Sequence, residues 1–279
     1  MSDFVFNSKF YKQGETVIGP GNRSLRYGDG LFETMKMLDG KIIHEDDHFE
    51  RLWNGMEILR FEKSSLFTRG NLSRLIKKLA EKNGHENSAR IRLNVFRGDG
   101  GLYDPINLTP NFIIETWALP DGSGLWNENG LVCGLFDEAK KSCDILANIK
   151  HNNYLIYALA ALKAKEEKWN DALVLNQHDR LADSTIANVF IVKDEKIITP
   201  DLNEGCVAGI FRKKLVEFLK ANNYAFQETQ LSIDDILNAD EVFLTNSVSN
   251  IRWVQRIGES TYNNVFTQKI YTAFVPTIY

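Results

Sequence analysis

Short strand-like apolar runs alternate with longer stretches of helical period from one end of this chain to the other. That alternation restricts the fold to a mixed α/β class. The runs FVFNSKFYK and LFETMKMLDGKIIH read as strands, and Asp39-Gly40 is a strong hairpin signal between two apolar runs. A helix is expected next, capped by Asp46 or Asp47, with Phe49, Leu52, Trp53, Met56 and Leu59 as its buried stripe. Asn71 to Glu81 reads as a second helix that stops near Asn83-Gly84, followed by the strands ARIRLNVFRG and NFIIETWALP.

The segment PDGSGLWNENG clusters turn formers without periodicity, so it is the expected linker, residues 120–130. It separates a small N-terminal α/β domain, residues 1–119, from a larger C-terminal α/β domain, residues 131–279. The second half repeats the alternation. A strand near Leu131–Phe136 leads to a helix from about Asn152, with Leu155, Ile156, Leu159, Ala160 and Leu162 at helical spacing. Then come the strand DALVLN, a hairpin turning at Lys193–Lys196, the helix FRKKLVEFLKANN, a short helix SIDDILNA and the strand EVFLTN.

A chain of 279 residues with 43% hydrophobic and 25% charged residues can bury a sizeable core. Its formal charge of −4 argues against nucleic acid, whose binders carry a basic stripe, and favours small-molecule partners. The opening residues lack a signal-peptide pattern, and no stretch approaches the roughly eighteen apolar residues of a membrane span, so a cytoplasmic protein is expected. Cys133, Cys143 and Cys206 are too scattered for a disulfide framework or a metal knuckle.

Several strings invite chemical readings. HEDDH, His44 to His48, formally matches a zinc-protease pattern, but that pattern needs both histidines on one helical face. His44 follows a strand-like run and the two aspartates suit helix caps, so no metal site is expected. YGDG and RGDGG lack the flanking strand and helix signature of nucleotide loops and read as turns. In GCVAGIFRKKL a glycine-containing loop runs directly into a helix. Gly209 would either let an anion approach the backbone of Ile210 and Phe211, where helix amides and dipole favour negative charge, or be an ordinary glycine placed before a helix for steric reasons. Arg51, beside the buried-stripe residue Leu52, could skirt the core edge and present its planar fork to phosphate, or form a surface salt bridge.

Lys150 precedes the apolar helix instead of lying on its solvated end, where Lys163, Lys165 and Lys168 gather. Most lysines are simply solvated. An amine attacks a carbonyl when desolvation or neighbouring cations lower its pKa, and the edge of an apolar element suits that better than a wet tip. Asp183, in RLADSTIANVF, sits at a strand entrance as either a turn residue or a functional carboxylate. A pyridoxal cofactor needs an acid beside its ring nitrogen to keep the ring an electron sink. Lys150, the anion site and Asp183 would together supply such a constellation.

In order and spacing, SLRYGDGLFETMKM, HFERL, RIRLNVFRGDGG, NIKHNN, RLADSTIANVF, CVAGIFR and ADEVFLTNSVSNI resemble the class IV, or fold type IV, pyridoxal-phosphate enzymes. That family includes branched-chain aminotransferases, D-amino acid aminotransferases and 4-amino-4-deoxychorismate lyases. The resemblance implies pyridoxal 5'-phosphate as cofactor, bound in a cleft between the two domains, with a homodimer completing each site. It implies Lys150 as the Schiff-base lysine, Arg51 as a phosphate ligand, Ile210 and Phe211 as phosphate-binding amides after Gly209, and Ser247 as a hydroxyl donor. Tyr27 and Arg97 fall where relatives place substrate-side residues. The family usually carries glutamate where this chain has Asp183, one methylene shorter, as the ring-nitrogen partner.

The activity implied first is an aminotransferase moving an amino group between an amino acid and a 2-oxo acid. The alternative is 4-amino-4-deoxychorismate lyase, releasing pyruvate and 4-aminobenzoate, to which YGDGLFET, NIKHNN and RGDGG look closer. A binding protein that keeps the fold without the chemistry is a third.

Overall fold

In the computed structural model, which describes residues 2–62, 65, 67–103 and 108–279, Asp39 and Gly40 both take left-handed backbone, with φ of 46° and 70°. This is the two-residue hairpin turn that the Asp-Gly pair specifies. It joins β3 (Gly30–Leu38) to β4 (Lys41–Ile42) with Leu38 opposite Lys41.

Those strands belong to the first of two compact units, Met1–Ser123 together with Ile149–Asn153. β1 (Asp3–Phe6), β2 (Lys9–Lys12), β5 (Ser88–Phe96) and β6 (Asn111–Ala118) complete an antiparallel sheet in the order β2-β1-β6-β5-β3-β4. Three helices accompany it: α1 (Arg23–Tyr27), α2 (Glu45–Ile58) and α3 (Arg69–Lys82). Leu52 and Met56 of α2 and Leu72, Ile76 and Leu79 of α3 share one core with Met35, Ile91, Leu93 and Ile114 of the sheet.

The stripe expected on α2 is therefore the face it buries, but its start differs. His44, not an aspartate, holds the cap position, in left-handed backbone and without a side-chain capping bond. Glu45, Asp46 and Asp47 instead occupy the first turn, where they complement the helix dipole. α3 begins two residues earlier than its periodicity suggests because the Thr68 hydroxyl accepts from the Asn71 amide and caps it.

The second unit comprises Gly124–Asn148 and Tyr154–Tyr279. Its strands are β7 (Leu131–Lys141), β8 (Asp171–Asn176), β9 (Leu181–Ser184), β10 (Asn188–Lys193), β11 (Lys196–Pro200), β12 (Phe226–Thr229), β13 (Glu241–Asn246), β14 (Asn250–Ile257) and β15 (Ser260–Thr261). They form one mixed sheet in the order β12-β11-β10-β13-β14-β7-β8-β9, with β15 paired to β14. β8 is buried at every position, including Asp171 and Asn176 at its ends, and its apolar centre ALVL reads as a buried strand. The helices are α4 (Leu155–Glu166), α5 (Ile210–Ala221), α6 (Ile233–Leu237) and α7 (Val265–Phe274). Phe190 and Phe243 stack at 5.0 Å within the core that α5 and α7 cover with Leu215, Leu219, Ile270 and Phe274.

α4 departs most from its pattern. It buries Tyr157, Ala160 and Ala164, whereas Leu155, Leu159 and Leu162 are 77%, 49% and 58% exposed. The apolar face that suggested packing into the core is the outward one. Among the described residues no helix is long and apolar enough to cross a membrane.

Candidate functional site

Lys150 does not stand at a helix mouth. α4 starts five residues later, and Ile149–Asn153 runs antiparallel to the beginning of β3 in the first unit. The Phe32 amide donates to the Lys150 carbonyl at 2.8 Å, and the Asn152 amide donates to the Gly30 carbonyl at 2.9 Å. The Asn152 side chain anchors this segment by donating to Asn94 Oδ1 at 3.0 Å. A half-buried lysine is thus held on a sheet edge, not on a flexible loop. Its Nζ lies 4.6 Å from the centroid of the Phe32 ring, and the Arg92 guanidinium lies 3.8 Å from the same centroid. Both basic groups are therefore packed against one aromatic ring, whose face attracts cations.

Arg51 is drawn to the residue after Phe32. Its Nε and one Nη donate to the two oxygens of Glu33 at 2.8 and 2.6 Å, and His48 Nδ1 donates to Glu33 Oε2 at 2.7 Å. Burial alone would raise the Glu33 carboxyl, but Arg51 and His48 outweigh it and hold the group down at about 2. A forked bond of this kind fixes the plane of the guanidinium. Arg51 and His48 lie three residues apart on α2, one helical turn, so both reach the same strand carboxylate.

Arg97 is equally constrained. One Nη donates to Asp29 Oδ1 at 2.5 Å and the other to the Leu59 and Arg60 carbonyls beyond α2. Arg23 donates to the other Asp29 oxygen at 2.7 Å, and its guanidinium lies 5.4 Å from the ring centroid of Tyr27, which is partly exposed. The Arg97 fork is taken up by its own unit.

In the second unit Asp183 is buried and surrounded by donors. Oδ2 accepts from Tyr157 Oη at 2.7 Å, the Val207 amide at 3.0 Å and Lys141 Nζ at 3.2 Å; Oδ1 accepts from Asn188 Nδ2 at 2.9 Å. Burial, and next the Asp183 charge, push the Tyr157 hydroxyl well above its ordinary value, so it remains a donor. Asn188 also donates to the Val207 carbonyl at 2.8 Å. That links the carboxylate to the loop ending at Gly209, the cap residue of α5.

Gly209 makes no side-chain capping bond, so the amides that open α5 at Ile210 and Phe211 have no cap side chain to satisfy them. A Cβ on Gly209 would fall 1.9 Å from Asn188 Oδ1, which is why glycine is needed there. Ser247 lies in the turn between β13 and β14, where Asn246 Oδ1 accepts from the Val248 and Ser249 amides. Asn188 pairs with Thr245 across β10 and β13, so that turn is at the strand end from which Asn188 starts.

His44 is the left-handed residue just before α2 and His48 lies inside it, so the two do not share one helix, although the His48 amide donates to the His44 carbonyl at 3.1 Å. His48 is committed to Glu33 through Nδ1. Among the described residues no group of three His, Cys, Asp or Glu could hold a metal.

Sequence reasoning missed Glu33, His48, Arg92, Lys141, Tyr157 and Asn188. His48 and Arg51 carried a readable signal in their helical spacing. Lys141 carried none, because AKKS reads as a wet strand end. A bulge in β7 between Phe136 and Lys141 turns Lys141 inward, while its neighbour Lys140 pairs with Asp179, whose side chain is largely exposed.

Comparison with known proteins adds four findings. The family model described as amino-transferase class IV matches residues 30–257. An aminodeoxychorismate lyase of Vibrio harveyi is 32% identical over 247 residues, 87% of this chain and 88% of the relative. A D-alanine aminotransferase of Bacillus licheniformis is 25% identical over 262 residues, 92% and 89% of the two chains. The fold is fold type IV: a T.th. branched-chain aminotransferase solved with pyridoxamine 5'-phosphate superposes with a TM-score of 0.86 at 22% identity, covering 99% of this chain and 94% of that one.

Proposed function

Because this chain belongs to the class IV amino-transferase family, we propose that it is a pyridoxal-phosphate enzyme, and specifically a 4-amino-4-deoxychorismate lyase that releases pyruvate and 4-aminobenzoate. The observation that carries the specific reading is the 32% identity to an aminodeoxychorismate lyase over 88% of that protein's length.

The residues present suit the cofactor. An uncapped helix start behind a glycine is an anion site. A buried carboxylate with remaining acceptor capacity suits a ring N–H. A half-buried lysine whose backbone is anchored to β3 and whose amine lies against the Phe32 ring suits covalent attachment to an aldehyde. Arg51, the Ile210 and Phe211 amides and Ser247 would hold the phosphate, Asp183 the ring nitrogen and Lys150 the aldehyde carbon. Bound pyridoxal phosphate supplies an electron sink that weakens the C–H bond beside an attached amine. In this reading Lys150 Nζ would be the base that takes this proton. Tyr27 and Arg97 belong to the substrate side in this reading, Arg97 through the stretch of backbone that it fixes.

The second reading is amino transfer between an amino acid and a 2-oxo acid. The family description and the D-alanine aminotransferase relative favour it. It would use the same residues in the same roles, with Lys150 Nζ giving back the proton it takes where the lyase would eliminate. Both readings are of a cytoplasmic homodimer, and the outward face of Leu155, Leu159 and Leu162 supports self-association.

The deciding experiment incubates the cofactor-loaded protein with 4-amino-4-deoxychorismate and no keto acid. Release of 4-aminobenzoate is expected. Absence of release, together with conversion of the cofactor to its amine form by an amino acid alone, would replace the lyase with the aminotransferase.

A further inference from the structure

Lys141 is a buried lysine with no part in the chemistry above. Lys141 is 6% exposed, and its Nζ donates to Asp183 Oδ2 and to the Ala147 carbonyl, both at 3.2 Å. Lysine is rarely buried, because its ammonium loses hydration that one partner seldom replaces. Burying it therefore has to be explained by what it holds in place.

Its effect falls on one oxygen. Oδ2 of Asp183 accepts from Lys141, Tyr157 and Val207, whereas Oδ1, among the described residues, accepts only from Asn188. A carboxylate oxygen has about two lone-pair directions, so three donors saturate Oδ2 and one leaves capacity on Oδ1. Asparagine and backbone amide also fix the carboxylate plane, since Asn188 donates both to Asp183 and to the Val207 carbonyl.

We propose that Lys141 is a positioning residue for the cofactor: together with Tyr157 it occupies Asp183 Oδ2 and leaves Oδ1 as the acceptor for the pyridoxal phosphate ring nitrogen. The proposal rests on the reading of Asp183 as the ring-nitrogen partner. It explains how an aspartate, one methylene shorter than the glutamate usual in the family, keeps a single orientation, because a long lysine stem reaches in from β7 to hold it.

The test compares affinity for pyridoxal phosphate with affinity for its 1-deaza analogue, in which carbon replaces the ring nitrogen. Apoprotein is titrated with each and the quenching of tryptophan fluorescence is followed. Wild type should prefer pyridoxal phosphate by roughly tenfold, the scale of one hydrogen bond to a charged group. Lys141→Met should bring the two affinities within about twofold, and Lys141→Arg should restore the preference, because the first removes and the second supplies a donor at the same oxygen.

An unchanged or increased preference in Lys141→Met overturns the proposal. Tyr157→Phe takes one donor from the same oxygen and decides the matter if Lys141→Met does not fold: a reduced preference supports the role of Oδ2, and an unaltered one overturns it. Wild type that binds neither compound sinks the cofactor assignment itself. Wild type that binds both equally sinks the Asp183 pairing and this proposal with it, while leaving the cofactor assignment intact.

Discussion

Glu33 and Arg51 are eighteen positions apart in sequence and meet through two hydrogen bonds of 2.8 and 2.6 Å, one to each carboxylate oxygen. With His48 on the same carboxylate, β3 and α2 are joined by a charged cluster inside the first unit. Removing one member of such a cluster leaves the others buried and uncompensated. Glu33→Gln should destabilise the protein by about 3–5 kcal/mol, measured as the midpoint of urea unfolding. A variant as stable as wild type would show that the cluster contributes little.

The same carboxyl gives a pH dependence. Its folded value of about 2 lies below its ordinary 4.5, so the stabilisation is fully present above pH 4.5 and is lost as pH falls toward 2. Unfolding free energy should decline across that window. In Glu33→Gln the decline should be shallower by the contribution of one carboxylate. Equal slopes in the two proteins would contradict the assignment.

Gly209 should tolerate no side chain. A methyl there would displace Asn188, which bonds both Asp183 and the Val207 carbonyl. Gly209→Ala is expected to cost roughly 1–3 kcal/mol and to weaken pyridoxal phosphate binding more than that loss of stability explains. Titration of the apoprotein checks it, and binding at the wild-type affinity would remove Gly209 from the phosphate site.

The Lys150 segment is seated partly by Asn152. Loss of its bond to Asn94 in Asn152→Ala should cost about 1 kcal/mol yet lower turnover at least tenfold, because a displaced lysine misses the reacting carbon. Borohydride reduction followed by mass analysis locates the cofactor adduct. Lys150→Ala should give no adduct at all, and an adduct on another lysine would refute its role.

Leu155, Leu159 and Leu162 make an outward apolar stripe on α4. Replacing Leu155 and Leu159 by serine should convert a two-chain species into single chains in sedimentation, with little loss of chain stability, since exposed side chains have little burial to lose. Wild type that sediments as a single chain would dismiss the homodimer.

Most elements of this protein are legible in the sequence, because local physics specifies them. Asp39-Gly40 forces its turn through left-handed backbone, the α2 stripe has one amphipathic solution, and the short apolar centre of DALVLN becomes a buried strand. The Lys150, Arg51 and Gly209 motifs are equally local strings, legible in the sequence without the fold.

Tertiary structure decided the partners. No periodicity pairs Glu33 with Arg51, and none turns Lys141 inward while Lys140 pairs at an exposed aspartate; a strand register and a bulge do that. The direction of the α4 leucines was likewise undetermined, since a helix with apolar residues on several sides gains from burying any of them. Burial is settled by what the neighbouring strands leave available, and at α4 Phe136 and Val174 pack with Tyr157, Ala160 and Ala164.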